Sequence, residues 1–223
     1  MNEAAKTFRL LSSEEQAYLT GKGIDIGCGD SPINSTCRPF DIADGDANHI
    51  TSFVHELESF DYVVSFHCLE HMRVPEEALQ DWWTLVRRGG VMMIIVPDED
   101  LYEQGYWPSL FNRDHKATFT IEKRQSWSPA SRNVANLART LQGAEVLTIR
   151  LQDDGYDLAL LAPGAWPRWF AKLCYMLIFR IDYYLPWAWT SSVLRRVCRR
   201  LKLPVDQTLG DAAAQILLVV RKT

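Results

Sequence analysis

Two groups of residues in this 223-residue chain have types and spacing suited to chemistry. The first is the run Gly23-Ile24-Asp25-Ile26-Gly27-Cys28-Gly29-Asp30-Ser31-Pro32. Ile24 and Ile26 alternate as in a strand, while Gly27 and Gly29 permit positive φ and let a ligand approach backbone amides where a side chain would clash. An ordinary strand-to-helix turn satisfies the same pattern. A dinucleotide fingerprint requires a third glycine where Pro32 stands, and an acid about twenty residues on. Here the candidate acid is Asp41, which closes Cys37-Arg38-Pro39-Phe40-Asp41 only twelve residues beyond Gly29. A carboxylate at that distance can accept both hydroxyls of a ribose with no pyrophosphate involved. The second group is His67, His71, Asp98, Asp114 and His115, imidazoles and carboxylates of the kind that take a proton from an attacking group.

From these residues onward the chain resembles the class I S-adenosylmethionine-dependent methyltransferases. Asp25-Ile26-Gly27-Cys28-Gly29 resembles the first motif of that family, and Asp41 its ribose-binding acid. Phe60-Asp61-Tyr62-Val63-Val64-Ser65 is similar to its fourth strand, and Cys68-Leu69-Glu70-His71-Met72 to the "LEH" segment of one large branch. Val86 to Pro97 resembles the helix-turn-strand that closes the fifth βα unit. Ser31 departs from the pattern, standing where many members carry a third glycine. The resemblance implies S-adenosylmethionine as methyl donor and S-adenosylhomocysteine as product, with Asp25, Gly27, Cys28, Gly29, Asp41 and His67 at the cofactor. Gly45-Asp46-Ala47 resembles the "GDA" found near the adenine, which would make Asp46 an acceptor for the adenine amino group and Ala47 its neighbour. Asp46 reads equally well as a solvated turn carboxylate.

The elements that must position these groups alternate along the chain. Ser12-Ser13-Glu14-Glu15 has capping-box spacing and should open a short helix. Strands are expected near 23–27, 37–41, weakly 48–51, and 61–66. Pro75, Glu76 and Glu77 should start a helix with Leu79, Trp82, Trp83 and Val86 as its apolar stripe and Gly89-Gly90 as its stop. Val91 to Val96 reads as a strand covered on both faces. A helix over Ala130 to Leu141, a sixth strand over Glu145 to Leu151 and a last one over Gln215 to Val220 follow. Alternating strands and helices mean an α/β fold with a mostly parallel sheet. The resemblance implies a Rossmann-like sheet of seven strands, the last antiparallel, helices on both faces, and a helical insertion between strands six and seven. In such sheets ligands sit beyond the carboxyl ends of the strands, where strand order reverses. That rule selects Gly27, Gly29, Asp41, His67 and Asp98.

The acceptor side is expected in Pro97 to Lys116, which is dense in aromatic and hydrogen-bonding side chains. Aromatic platforms beside carboxylates and amides suit sugar rings, and the segment resembles bacterial methyltransferases found with polysaccharide-assembly enzymes. The expected reaction is therefore O-methylation of a small-molecule or lipid-linked glycan hydroxyl, with N- or C-methylation of a metabolite, or an inactive binding subunit, as alternatives. Methyl transfer from a sulfonium is an in-line displacement, so the enzyme aligns the partners and removes a proton from a hydroxyl acceptor. His115 is the first candidate for that base, with Asp114 beside it and Asp98 second. The other reading of Asp114-His115-Lys116 is a polar turn before a strand-like Thr118-Phe119-Thr120. A metal held by Asp98, Asp114 and His115 is the weaker alternative, and no resident metal is expected.

Length suits one methyltransferase domain over 1–223 with one appendage. A net charge of −4 gives no pull toward nucleic acid. Five scattered cysteines suggest neither a disulfide framework nor a zinc site, and with a polar N-terminus they point to the cytoplasm. The appendage is 165–204. Trp166, Trp169, Phe170, Leu173, Leu177 and Ile181 share one helical face. After Pro186, Ser191 or Ser192 would cap a second helix, with Leu194, Val197, Cys198 and Leu201 as a stripe among Arg195, Arg196, Arg199, Arg200 and Lys202. Such a pair reads as a peripheral element at the inner membrane face, or as an active-site cap or homodimer interface.

Overall fold

The computed structural model describes residues 3–184 and 188–223, with side chains over 6–178 and 193–223. Two short helices open the chain, α1 (Glu3–Arg9) and α2 (Ser13–Ala17). The expected capping box is present: Ser12 Oγ accepts from the Glu15 amide and the Glu15 carboxylate accepts from the Ser12 amide. Arg150 then donates to both Glu15 oxygens, at 3.0 and 2.9 Å, which moors α2 to the sheet.

That sheet has six strands: β1 (Gly23–Ile26), β2 (Arg38–Phe40), β3 (Phe60–Phe66), β4 (Val86–Pro97), β7 (Ala144–Gln152) and β8 (Gln215–Lys222). Their order is β2-β1-β3-β4-β8-β7, and a separate parallel pair joins β5 (Thr118–Thr120) to β6 (Ser131–Asn133). All pairings in the large sheet are parallel except those of β8, which runs antiparallel to β4 and β7. Along β3 and β4 successive residues face opposite layers. Val63, Met92 and Ile94 pack under α3 (Pro75–Trp83) and α4 (Val134–Thr140). Tyr62, Val64, Met93 and Ile95 pack with Leu11 and Leu19 on the other face.

Four expectations need correction. The sheet has six strands, not seven, because 48–51 forms no strand. Asp46 Oδ1 accepts from the Asn48 amide and starts a 3₁₀ turn over Ala47–Ser52 that buries Ile50. The helix after Pro75 ends at Trp83, where Thr84 Oγ1 donates back to the Asp81 carbonyl. Val86 already pairs with Phe60, and Gly89-Gly90 lies in a bulge between that pair and Tyr62–Val91, with Gly90 close against the carbonyls of Phe60 and Asp61. The helix expected from Ala130 begins only at Val134, since 131–133 pairs with β5.

The 165–204 segment carries α5 (Arg168–Tyr184) and α6 (Ala188–Leu201), between β7 and β8 in the chain. The helix α6 starts before Ser191 and Ser192, so neither is its cap; Pro186 lies outside the described residues, as does the side chain of Ile181. The inward face of α5 is Phe170, Ala171, Cys174 and Ile178, one step round from the expected stripe, while Trp169, Leu173 and Leu177 face outward. On α6 only Cys198 of the expected stripe is fully buried; Val197 and Leu201 are exposed.

Candidate active site

The chain leaves β1 outward to β2 and returns on the other side to β3, so strand order reverses beside β1. A cavity of about 790 Å³ lies at that point, lined by Gly27, Asp41, Ile42, Asp46, Ala47 and His67, with Cys68, His71 and Arg73 along its edge. Gly27 has φ +80°, and a Cβ there would stand 2.5 Å from Cys68 Cβ, so only glycine lets the turn pass this close to the end of β3. Asp41 Oδ2 accepts from the Gly29 amide and Oδ1 from the Ile42 amide, both at 2.7 Å, which fixes the carboxylate at the cavity wall. Ile42 beside it is 91% exposed, an apolar surface on offer to a flat ligand. A glycine cradle, a fixed carboxylate and an apolar flank in a cavity of this size fit a nucleoside cofactor.

Not every residue assigned to the cofactor lines this cavity. Asp25 is buried, and its Oδ2 accepts from the Ile33 amide at 2.8 Å, bracing the loop after the glycines. Burial, opposed by that hydrogen bond and aided by the Asp41 charge, raises its carboxyl to about 6. Cys28 and Gly29 also lie off the lining, although Gly29 grips Asp41. Asp46 does line it, but Oδ1 caps the 3₁₀ turn and Oδ2 pairs with Arg73 at 2.7 Å. Its turn role is therefore established by its partners. Cys68, raised to about 12 chiefly by burial and then by the Glu70 charge, is no nucleophile.

A second cavity, about 730 Å³, abuts the first; His67 and His71 line both. Its walls include Glu70, Tyr102, Phe111, Asn112, His115, Tyr175 and Gln215. Tyr102, Phe111 and Tyr175 stack edge to face at 5.7 and 5.0 Å, and Tyr175 comes from α5, so the insertion builds part of this wall. Burial first, and Asp206 next, raise the Tyr175 hydroxyl to about 12. Burial raises that of Tyr102 as well. Both tyrosines therefore serve as neutral hydrogen-bonding groups.

The three candidate catalytic residues go different ways. His115 is buried, and its Nδ1 meets Glu103 Oε1 at 2.7 Å. Asp114, next in sequence, turns away from it to His71 Nδ1, 2.9 Å, and its side chain is 69% exposed. Asp98 lines neither cavity. Its Oδ1 accepts from the Asp100 and Leu101 amides, starting a single π-helical turn over Glu99–Glu103, and burial raises its carboxyl to about 6. The buried imidazole–carboxylate pair is thus His115–Glu103, and Asp98 belongs to the turn that carries Glu103. Sequence reasoning missed Glu70, Glu103 and Tyr175. Glu103 sits twelve residues before its partner, and no spacing rule joins a π turn to a loop. The backbone closes the cluster: the Glu70 carbonyl accepts from the Lys116 and Ala117 amides at 2.7 and 3.3 Å, bringing the 3₁₀ turn Leu69–His71 against His115.

A mostly parallel sheet with a nucleoside-fitting cavity at its switch point and an acceptor-sized cavity sharing its wall defines a Rossmann-like group-transfer enzyme. The sequence profile described as a methyltransferase domain matches residues 4–130, more than half of the chain. The chain belongs to that family, and with it to the S-adenosylmethionine-dependent methyltransferases. No curated protein matches it in sequence. Among solved structures, a Bacillus halodurans C-125 protein assigned as a methyltransferase is 14% identical, covering 99% of this chain and 98% of that one, with a TM-score of 0.53. A Galdieria sulphuraria protein assigned as a sarcosine dimethylglycine methyltransferase is 13% identical, covering 98% and 86%, with a TM-score of 0.51. At such identities these two support the fold.

Proposed function

We propose that the protein transfers a methyl group to a hydroxyl of a small-molecule or glycan acceptor held in the aromatic cavity. The observation that carries this reading is the buried His115–Glu103 pair in the wall of that cavity. A neutral amine already offers a lone pair, whereas a hydroxyl must lose its proton as the new bond forms, so a positioned base points to oxygen. A carboxylate only accepts, so Glu103 holds Nδ1–H and leaves the His115 Nε2 lone pair to receive that proton. S-adenosylmethionine supplies the electrophilic methyl when bound. Asp41 would hold its ribose, and the lining shared at His67 and His71 would mark where donor and acceptor meet. Tyr102, Phe111 and Tyr175 give apolar faces and Asn112 a polar group, which together suit a sugar ring.

The test is a panel of hydroxyl and amine acceptors, lipid-linked glycans included, incubated with labelled cofactor. Product should carry the label on oxygen. His115→Ala should lower turnover about 10²–10⁴-fold while leaving cofactor affinity unchanged. Label on nitrogen, or full turnover in the variant, would overturn the assignment.

The outer face of the insertion favours a lipid-linked acceptor. Trp169, 71% exposed, continues through Leu173 and Leu177 along α5, and Val193, Val197 and Leu201 repeat the spacing on α6 among Arg195, Arg196, Arg200 and Lys202. Apolar stripes flanked by cations suit the anionic inner face of a membrane, lying on it rather than across it. No helix among the described residues is long and apolar enough to span one.

A further inference from the structure

At the end of the acceptor cavity nearest the cofactor, one carboxylate oxygen of Glu70 and one ring nitrogen each of His71 and His115 lie within 4.8 Å of one another. We infer that these three residues form a binding site for a divalent first-row cation such as zinc or manganese. Ligands on a tetrahedral cation with bonds of about 2.1 Å stand about 3.4 Å apart, so the side chains need to close by up to about 1.4 Å, within reach of rotamer adjustment.

Three observations point to a ligand rather than to a settled polar cluster. Glu70 is fully buried, yet its Oε2 has no hydrogen-bond partner among the described residues; its Oε1 lies 3.6 Å from His67 Nδ1. A buried carboxylate oxygen without a donor is what a cation satisfies. Both imidazoles also carry a carboxylate on Nδ1: His71 is held by Asp114 at 2.9 Å and His115 by Glu103 at 2.7 Å. A carboxylate on Nδ1 fixes the tautomer and leaves the Nε2 lone pair free, the outer-shell arrangement of metal-binding histidines. Finally, the site is held from several directions. Glu70 and His71 ride on the turn after β3, His115 is tied to it through the Glu70 carbonyl, and the two rings meet edge to face at 5.1 Å. Two imidazole nitrogens and one carboxylate oxygen suit zinc, manganese or ferrous iron better than calcium or magnesium. This set differs from the Asp98, Asp114 and His115 grouping, since Asp98 is committed to its turn and Asp114 stands behind His71.

The use of the site rests on the hydroxyl reading of the cavity; its existence does not. With a cation in place the His115 Nε2 lone pair goes to the cation, so the proton-accepting role of His115 belongs to the cation-free site alone. The cation polarises the acceptor hydroxyl and its proton passes to water. The oxygen forms its bond to the methyl carbon as the carbon–sulfur bond breaks, and the electron pair of that bond stays on sulfur.

The test uses the full chain, free of tag and stripped with a chelator, titrated by calorimetry with zinc and separately with manganese, without acceptor. One equivalent should bind saturably. Glu70→Gln and His115→Ala should each weaken binding at least about tenfold, and the outer-shell Glu103→Gln by about 10–100-fold. Unchanged S-adenosylhomocysteine affinity in His115→Ala, which lies outside the cofactor cavity, shows that this variant is folded. No saturable binding by the folded wild-type chain overturns the site, as does binding indifferent to both Glu70→Gln and His115→Ala. The two readings fail separately. Cation binding with label only on nitrogen upholds the site and refutes the hydroxyl acceptor, whereas label on oxygen without cation binding refutes the site and leaves His115 as base.

Discussion

Replacing Asp25 by asparagine should stabilise the protein, by an amount that depends on pH. The side chain is 4% exposed, and the hydrogen bond it accepts from the Ile33 amide can be accepted equally by an amide oxygen. Burial lifts the folded carboxyl from 3.8 to about 6. At about 1.4 kcal/mol per pH unit, that difference corresponds to about 3 kcal/mol. The folded chain keeps this proton up to about pH 6 and the unfolded chain loses it near 3.8, so the folded state binds more protons between them. Wild-type stability therefore falls as pH rises through that window, and the contribution is constant above it. Asparagine carries no charge to bury and escapes the loss. The expected gain is about 3 kcal/mol at pH 8, about half that at pH 5, and close to nothing by about pH 3. Urea unfolding of both proteins at pH 5 and pH 8 measures it directly. A gain of equal size at the two pH values, or a loss at pH 8, would refute the burial argument. The same variant separates a brace from a cofactor contact: S-adenosylhomocysteine affinity should hold, and a tenfold loss, about 1.4 kcal/mol, would return Asp25 to the cofactor.

Asp41→Ala should weaken S-adenosylhomocysteine binding by about 1.5–3 kcal/mol through lost charge-assisted hydrogen bonds. Unchanged affinity by calorimetry would mean that this carboxylate does not hold the ribose. On vesicles containing anionic lipid the wild-type chain should float with the lipid, and the double variant Trp169→Asp and Leu177→Asp should stay in solution. Equal flotation on neutral and anionic vesicles would remove the membrane reading.

The cofactor half of the site was more legible in sequence than the acceptor half, and the reason is local. Gly27 and His67 each stand just past the end of a strand whose apolar run is visible, and Asp41 just past the short strand Arg38–Phe40, so the switch-point rule brings them together. Asp25 misled because it is part of the same run, and period-2 alternation turns its side chain away from the cavity. The acceptor half is assembled from a turn after β3, a π turn after β4, a loop and α5. Glu103, His115 and Tyr175 follow no common period, and the pairing of His115 with Glu103 rather than with adjacent Asp114 is decided by burial. Burial is also what sequence misjudged on α5. Phe170 of the expected stripe does face inward, but its companions there are Ala171, Cys174 and Ile178 rather than Trp169, Leu173 and Leu177, and only packing against Tyr106, Leu110 and Leu203 selects them.

His67 links the two halves physically. It is one of few non-glycine residues here with positive φ, +58°, a conformation that costs about 1–3 kcal/mol and persists only where the surroundings enforce it. The enforcement is visible: its amide donates to the Ile95 carbonyl at 2.9 Å, and its Nε2 meets Gln215 Oε1 at 2.9 Å. Gln215 is itself held by a 2.7 Å bond to Gln152 on the neighbouring strand. The ring is therefore fixed from the sheet behind it and forms wall in both cavities. In-line displacement tolerates little misalignment, since a displacement of about 1 Å can cost about 10²-fold in rate. A left-handed turn anchored across β4, β8 and β7 is thus a rigid element of the lining that the two cavities share, where the proposed reading has the methyl carbon meet the acceptor. That requirement accounts for a strained backbone at His67, where a glycine would have relieved the strain and lost the anchor.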